Sequence, residues 1–477
     1  MTEERVEPLS PAARVHLDRL QKFYDETDTI PQKWSLGYRK LLAHYYRQMI
    51  PQDASVLEVG CGDGSLLEML PGREKAGIDL SPAQIERARR RLPEATLEAV
   101  SGEEFQPHRT YDIIILSDTL NQAGDCQLLL ERLQKAAHPG TRLLINIYNA
   151  LWSPLLWLTR RTGITSPVPP LNWLSRNDVF NFLSLSNWEP IRQFAKIVVP
   201  VADSPVAALA NRWMAPWLGW FSLSFFAVAR PFGQPAAHRP SISIIIPARN
   251  EAGNLEAAVR RVPVMSSDQE WIFVEGGSRD NTWDVIQSLP GLFPSARIKT
   301  LKQSGKGKAN AVWEGFAVAQ GDILVILDAD LTMPPEELPK FYEALVARKA
   351  EFANGVRLVY PMDDKAMQFL NLCANKFFAV LFTWLLEQPV KDTLCGTKML
   401  TRANYDRIAA GRAYFGDFDP FGDFDLLFGA ARLNLKIADI PIRYKERTYG
   451  ETNISRWKHG AILLQMAAIG ARKLKFC

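Results

Sequence analysis

From Ser55 onward the chain alternates short apolar runs with amphipathic segments. VLEVG (56–60), AGIDLS (76–81), TLEAV (96–100), YDIIILSD (111–118) and RLLINIYN (142–149) have strand character, and the stretches between them have helical spacing. This alternation predicts a parallel sheet with crossover helices. Two later runs, IRQFAKIVV (191–199) and SLSFFAVA (222–229), are suited to close that sheet. Upstream, residues 1–50 read as amphipathic helix, with Leu41, Leu42, Tyr45, Tyr46 and Ile50 at helical spacing. RPFGQPAAHRP (230–240) then breaks the pattern with Pro, Gly and Ala and reads as a linker. A second alternation starts at once: SISIIIP (241–247), QEWIFVEG (269–276), ARIKTL (296–301), GDILVILDAD (321–330) and EFANGV (351–356). The expected organisation is an α/β domain over 1–230, a linker over 231–240 and a second α/β domain over 241–477.

Length agrees with two domains, because 477 residues exceed what one core usually supports. Hydrophobic residues at 47% and charged residues at 23% exclude long disorder. A net charge of +4 is too small to point to nucleic acid. The excess sits in the tail, where 443–477 holds eight basic and two acidic residues. Five cysteines without a CxxC pair predict a reduced, cytosolic setting. The opening MTEERVEPLS has no apolar core, so no signal peptide is expected. Pro216 breaks Trp213–Ala229, and Gln368, Asn371, Asn375 and Lys376 interrupt Ala366–Leu386, so neither reads as a spanning helix. Ala366–Leu386, with Phe369, Leu372, Phe377, Phe378, Leu381 and Leu385, and the basic tail Arg456–Lys475 are either membrane-surface helices or ordinary core helices.

The first candidate site follows the first strand. Gly60, Gly62 and Gly64 let the backbone turn tightly and approach a ligand. Asp79 ends the next strand, where a carboxylate can hold two ribose hydroxyls. Together these residues resemble the class I S-adenosylmethionine-dependent methyltransferases, a Rossmann-like fold. The resemblance covers roughly 40–230. It implies that Glu58 and the glycine turn hold the methionine part and ribose, that Asp79 grips the ribose, that Gly102-Glu103 lies near the adenine, and that Asp118 lines the site. The Trp-rich stretch 152–188 lines an acceptor pocket or simply packs the core. Methyl transfer needs mainly alignment and desolvation, so no obligatory catalytic residue type follows. A domain that has lost catalysis and only docks its neighbour is the alternative.

The second site gathers at several strand ends. A strand ends at Pro247, followed by Asn250 and Glu251. The next ends at Glu275, followed by Asp280. QSGKGKANA (303–311), with Lys306 and Asn310, puts basic groups and small residues at a helix start, which suits anionic phosphates. Asp328-Ala329-Asp330 ends a buried run. On an extended backbone the two carboxylates share one face and call for a neutralising cation. Oxygen ligands favour Mg²⁺ or Mn²⁺.

This run resembles the family 2 glycosyltransferases of the GT-A fold, in which a D-x-D pair holds a divalent ion on a nucleotide diphosphate. GVRLVY (355–360), DTLCGTKMLTR (392–402) and GDFDLLFGAARLNLKIADIPIRYKERTYGET (422–452) narrow the resemblance to dolichol-phosphate mannosyltransferases and other polyprenyl-phosphate glycosyltransferases, over roughly 241–456. It implies Asp328 and Asp330 as metal ligands. Pro247, Asn250, Glu251, Glu275, Asp280, Lys306, Asn310, Asp328 and Lys398 would contact the donor. Asp330, Arg357, Asp392, Asp423, Asp425 and Arg447 would be catalytic. A lipid phosphate acceptor is already anionic and needs positive charge, which Arg357, Lys398 and Arg447 supply. A hydroxyl acceptor needs a carboxylate base, for which Asp423 and Asp425 are candidates; as first-turn acids they are equally explained by the helix dipole. Glu275 is followed by Gly276 where relatives often carry a second acid, which leaves the nucleotide base open. Thr452-Asn453 stands where polyprenyl-phosphate enzymes often have Ser-Lys. The resemblance implies a peripheral enzyme at the cytoplasmic face of the membrane that uses a nucleotide diphosphate sugar and a polyprenyl phosphate.

Overall fold

The computed structural model describes residues 9–26, 33–161, 171–202, 204–233, 235–236, 238–357, 359, 369–416, 422–445, 449 and 456–477. The chain divides into two compact units, Met1–Phe232 and Gly233–Cys477.

The first unit is built on strands β1 (Ser55–Val59), β2 (Glu74–Asp79), β3 (Thr96–Ala99), β4 (Tyr111–Ser117), β5 (Ala137–Tyr148), β6 (Trp188–Lys196) and β7 (Ser224–Pro231). They form one sheet in the order β3-β2-β1-β4-β5-β7-β6. β1 to β5 run parallel and β7 runs antiparallel to both β5 and β6. Both faces are covered, so its strands are apolar on both sides. Ile113 and Ile115 of β4 pack one face, with Tyr46 and Leu67, while Ile114 and Leu116 pack the other, with Leu129 and Leu183. The strand order reverses between β1 and β4, and ligands of such sheets bind outside the carboxyl ends of the strands there. The helices Pro11–Glu26 and Lys33–Arg47 fall in the stretch expected to be helical.

The second unit carries β8 (Ile242–Ala248), β9 (Gln269–Glu275), β10 (Arg297–Lys302), β11 (Ile323–Ile326), β12 (Phe352–Val356), β13 (Lys398–Thr401) and β14 (Ile437–Pro441). The order is β10-β9-β8-β11-β13-β12-β14, with β13 antiparallel to β11 and β12. The same alternation sorts Ile242, Ile244 and Ile246 to one face and Ile245 to the other. Burying each such side chain contributes about 1.5–3 kcal/mol.

The described side chains of the helices Phe369–Leu386 and Arg456–Gly470 send one face into the core. Phe378, Phe382, Leu385, Leu463, Met466 and Ala467 are buried in one cluster, and the Phe382 ring lies 5.3 Å from that of Phe424. Lys475 pairs with Glu387 at 2.7 Å, both nearly buried. Only Phe377, Val380 and Leu464 stand out as exposed large apolar groups on their described faces. Among the described residues no helix is long and apolar enough to cross a membrane.

Candidate functional sites

In the first unit, β1 runs into a turn with positive φ at Gly60 (74°), Gly62 (53°) and Gly64 (74°). A Cβ on Gly60 would lie 2.8 Å from Thr119 Oγ1, whereas one on Gly62 would meet nothing. The turn is therefore closed on one side and open on the other. Asp79 holds it in place. Its Oδ2 accepts the Gly62 N–H at 2.8 Å and its Oδ1 the Ser81 N–H at 2.9 Å. Glu58 is buried beneath the turn, and its Oε2 has no hydrogen-bond partner among the described residues. Burial pushes Glu58 up to about 8 and raises Asp79.

Asp118 follows β4 in the left-handed region, with φ 57°. It accepts from Asn146 Nδ2 at 2.6 Å and from the Tyr38 hydroxyl at 3.3 Å. The Tyr38 ring stacks on Tyr148 at 5.7 Å. Burial pushes Asp118 up to about 7, against the hydrogen bonds from Tyr38, Tyr148 and Asn146. Tyr38, Asn146 and Tyr148 belong to this polar cluster and were not singled out from the sequence. Asn146 and Tyr148 alternate on β5, a signal that was present but unspecific. Glu103 takes another position. Its buried Oε1 accepts the N–H of Gly124 at 2.8 Å and of Asp125 at 3.4 Å, so it ties down the loop after β4. The Trp-rich stretch splits: Trp188 is core, donating to the Leu130 carbonyl at 2.9 Å, while Trp157 is exposed.

In the second unit a cavity of about 280 Å³ opens at the ends of β8, β9 and β11. Pro247, Glu251, Asp328 and Asp330 line it, as do Arg249, Gln303 and Lys308. β11 stops at Ile326; Asp328 follows it outside the strand, and Asp330 lies in the turn beyond. Both acids line the cavity, and Leu331 follows them at φ 51°. Asp330 Oδ1 accepts from Thr332 N–H (3.1 Å) and Oγ1 (2.9 Å).

Lys308 is the residue the sequence reading passed over in favour of Lys306. Lys308 opens the helix Lys308–Val318 and reaches Asp328 Oδ1 at 2.6 Å, whereas Lys306 is exposed and does not line the cavity. Burial works against the Lys308 charge, but Asp328, Asp423 and Asp330 hold its ammonium above the ordinary value. Gly396 presses against this pair, where an added Cβ would collide with the Asp328 carboxylate and the Lys308 ammonium.

The other expected residues separate by role. Asn250, Glu275, Asp280 and Asn310 do not line the cavity; they brace the loops around it. Asn250 Oδ1 accepts the Arg279 N–H at 2.7 Å, Asp280 Oδ1 the Thr282 N–H at 3.1 Å, and Asn310 Oδ1 the Gly305 N–H at 3.0 Å. Glu275 Oε1 accepts the Ser278 N–H. Arg357 is locked to buried Asp392 in a bidentate pair, Nε–Oδ2 2.7 Å and Nη2–Oδ1 2.9 Å. Burial pushes Asp392 up, but the Arg357 charge and hydrogen bonds hold it below its ordinary value. Lys398 is fully buried and donates to the Cys395 carbonyl. Asp423 and Asp425 diverge. Asp425 pairs with Arg412 Nε at 2.8 Å, while Gly422, just before Asp423, abuts Ala309 at the start of the Lys308 helix. Arg447 lies outside the described residues.

Residues 243–407 match the family model for glycosyl transferase family 2, and residues 32–193 match that for a methyltransferase domain. The dolichol-phosphate mannosyltransferase of Pyrococcus furiosus is 38% identical over 120 residues, 25% of this chain and 33% of that protein. The undecaprenyl-phosphate 4-deoxy-4-formamido-L-arabinose transferase of Aeromonas hydrophila is 35% identical over 107 residues, 22% of this chain and 33% of that protein. The chain thus spans about a third of the length of these curated relatives. Among solved structures, glucosyl-3-phosphoglycerate synthase of Mycobacterium tuberculosis, in complex with Mn²⁺, uridine diphosphate and glucosyl-3-phosphoglycerate, is 21% identical with a TM-score of 0.35, covering 49% of this chain and 80% of that one. A SAM-dependent methyltransferase of Thermotoga maritima, a possible histamine N-methyltransferase, is 12% identical with a TM-score of 0.33, covering 46% and 99%.

Proposed function

We propose that this chain, which joins a methyltransferase domain to a glycosyl transferase family 2 domain, moves a sugar from a nucleotide diphosphate sugar to a polyprenyl phosphate at the cytoplasmic membrane face. The observation that carries this reading is the cavity in which Asp328, Asp330 and Lys308 meet at the strand ends. Its donor set, two carboxylates with room beside them, fits Mg²⁺ or Mn²⁺; Asp328 and Asp330 would hold the ion, which supplies positive charge against the leaving diphosphate. Lys308 keeps Asp328 oriented and adds a second positive charge at the helix start, where anionic phosphates are favoured. Arg249 supplies a further cation on the cavity wall. The names of the curated relatives support a polyprenyl phosphate acceptor.

In the first unit, the orphaned Glu58 Oε2, the open side of Gly62 and the anchored Asp79 fit S-adenosylmethionine. The glycine turn and Glu58 would hold its methionine part and Asp79 its ribose, and the cofactor supplies an activated methyl group. Asp118 and Tyr38 can then orient an acceptor hydroxyl or amine.

Incubation with a radiolabelled nucleotide-sugar panel and short polyprenyl phosphate, with Mn²⁺ or with EDTA, tests the reading. The expected result is a metal-dependent, organic-extractable product. Donor hydrolysis without a lipid product would move the acceptor to a hydroxyl. One observation favours that second reading: Arg357 is committed to Asp392, while the Asp423 charge reaches Lys308. A hydroxyl acceptor predicts that Asp423→Asn abolishes transfer with donor binding intact.

A further inference from the structure

The first unit exposes an apolar surface that its own fold does not explain. In the helix Pro205–Trp213 the inward positions are Ala207 and Asn211, and Asn211 is occupied with the backbone of Val198 and Val199 at 2.8 Å. The outward positions carry Val206, Leu209 and Trp213. A surface helix normally buries its large apolar side chains and shows water its polar ones; this one does the reverse. The pattern continues through Trp217 and Trp220 and across to the helix Ser153–Arg161 with Leu155 and Trp157. Leu155, Trp157, Leu209, Trp213, Trp217 and Trp220 are each between 46% and 67% exposed.

The two segments are tied together just beyond β5. Asn149 Nδ2 donates to the carbonyls of Trp220 and Ser222 at 2.8 Å, and Trp152 Nε1 to that of Phe221 at 2.9 Å. Asn149 follows Tyr148, which stacks on Tyr38 of the Asp118 cluster. Asn149, which ties the two segments together, thus follows directly on the polar cluster that holds Asp118, and Leu151 is the first exposed apolar side chain after it.

Charge indicates what covers it. Residues 150–161 and 204–221 contain no Asp or Glu, and they contain Arg160, Arg161 and Arg212. The guanidinium of Arg161 lies 5.3 Å from the Trp157 ring and that of Arg212 5.8 Å from the Trp213 ring. A second copy of the same face would set these arginines against one another. An anionic lipid surface meets both needs: tryptophan rings favour the headgroup level, and Arg161 and Arg212 would meet phosphate.

We propose that this Trp-rich face of the methyltransferase unit seats the protein on anionic membrane and opens the Asp118 cluster at the lipid surface. This assigns the membrane contact to the first unit rather than to the helices Phe369–Leu386 and Arg456–Gly470. It does not depend on the identity of the glycosyl acceptor.

Flotation of the full chain on phosphatidylcholine vesicles, with and without phosphatidylglycerol, tests it. The wild type is expected to float with phosphatidylglycerol at low salt and to be released by high salt. Trp217→Glu/Trp220→Glu should lower partitioning about a hundredfold, and Arg212→Glu about tenfold. Phe377→Glu/Val380→Glu in the second unit should change nothing. Unchanged melting temperatures and unchanged glycosyl transfer to a detergent-soluble short-chain acceptor would separate lost docking from misfolding and from failure of the glycosyl reading. No flotation by the wild type, equal flotation by the Trp variant, or loss confined to the Phe377 variant would each overturn the proposal. So would a wild-type dimer that the Trp substitutions dissociate, because a second copy would then be the occupant.

Discussion

The acids singled out at the two sites are satisfied by different partners. In the first unit Glu58, Asp79 and Asp118 sit among backbone N–H groups, hydroxyls and an amide, and burial drives all three upward. In the second unit Asp328 meets Lys308, Asp392 meets Arg357 and Asp425 meets Arg412. A pocket with under-compensated acids gains most from a cationic ligand, such as a sulfonium or an amine. In the second cavity Lys308 pairs with only one of the two acids, Asp328 and Asp330, so a diphosphate would need a bound divalent ion beside it. The contrast lies in what meets each acid: neutral donors for Asp79 and Asp118 at the first site, a lysine for Asp328 at the second.

The largest effect expected from breaking this contrast lies at the cavity. Asp328→Ala should cut glycosyl transfer by about a thousandfold. Calorimetric affinity for S-adenosylmethionine should stay unchanged, and a parallel loss would mean that the two sites are not separate. Next in size, Asp392→Ala leaves Arg357 buried with its charge uncompensated. Breaking a buried pair from one side costs about 3–5 kcal/mol. Urea unfolding should report that loss in the second unit, and a cost under about 1 kcal/mol would show that Arg357 finds another partner.

A further test is a pH slope. Glu58 in the folded state stays protonated up to about 8, against an ordinary value of 4.5. Between those limits the folded state holds a proton that the unfolded chain has lost. Its contribution to stability is full below about 4.5 and disappears as pH rises through about 8. Unfolding of the first unit should become easier from pH 5 to 8, with a shallower decline in Glu58→Gln. Identical slopes would remove Glu58 from the account, and S-adenosylmethionine binding that tightens over the same window would strengthen it.

The comparison also marks how far the sequence could be read. Both alternations, the glycine turn with Asp79, and the D-x-D run were legible because each rests on local periodicity or on a short spacing that backbone geometry requires. The sequence does not distinguish Lys306 from Lys308. Only the positive φ at Gly307 and the helix start turn Lys308 onto Asp328. The pairing of Arg357 with Asp392 spans 35 residues, and nothing local specifies it. Glu103 was legible as an acid after the third strand, but its role in holding Gly124 and Asp125 depends on how the loop after β4 folds back.

The sequence by itself determined the two α/β units, the strands that build them and the acids at their ends, since strand and turn preferences act over a few residues. Tertiary structure alone decided which acids gain a cation, which brace loops and which face a cavity. It also decided that Phe378 and Met466 are core while Trp217 and Trp220 face outward. Periodicity states that a helix has an apolar side; only the packing of the whole unit determines whether that side is covered.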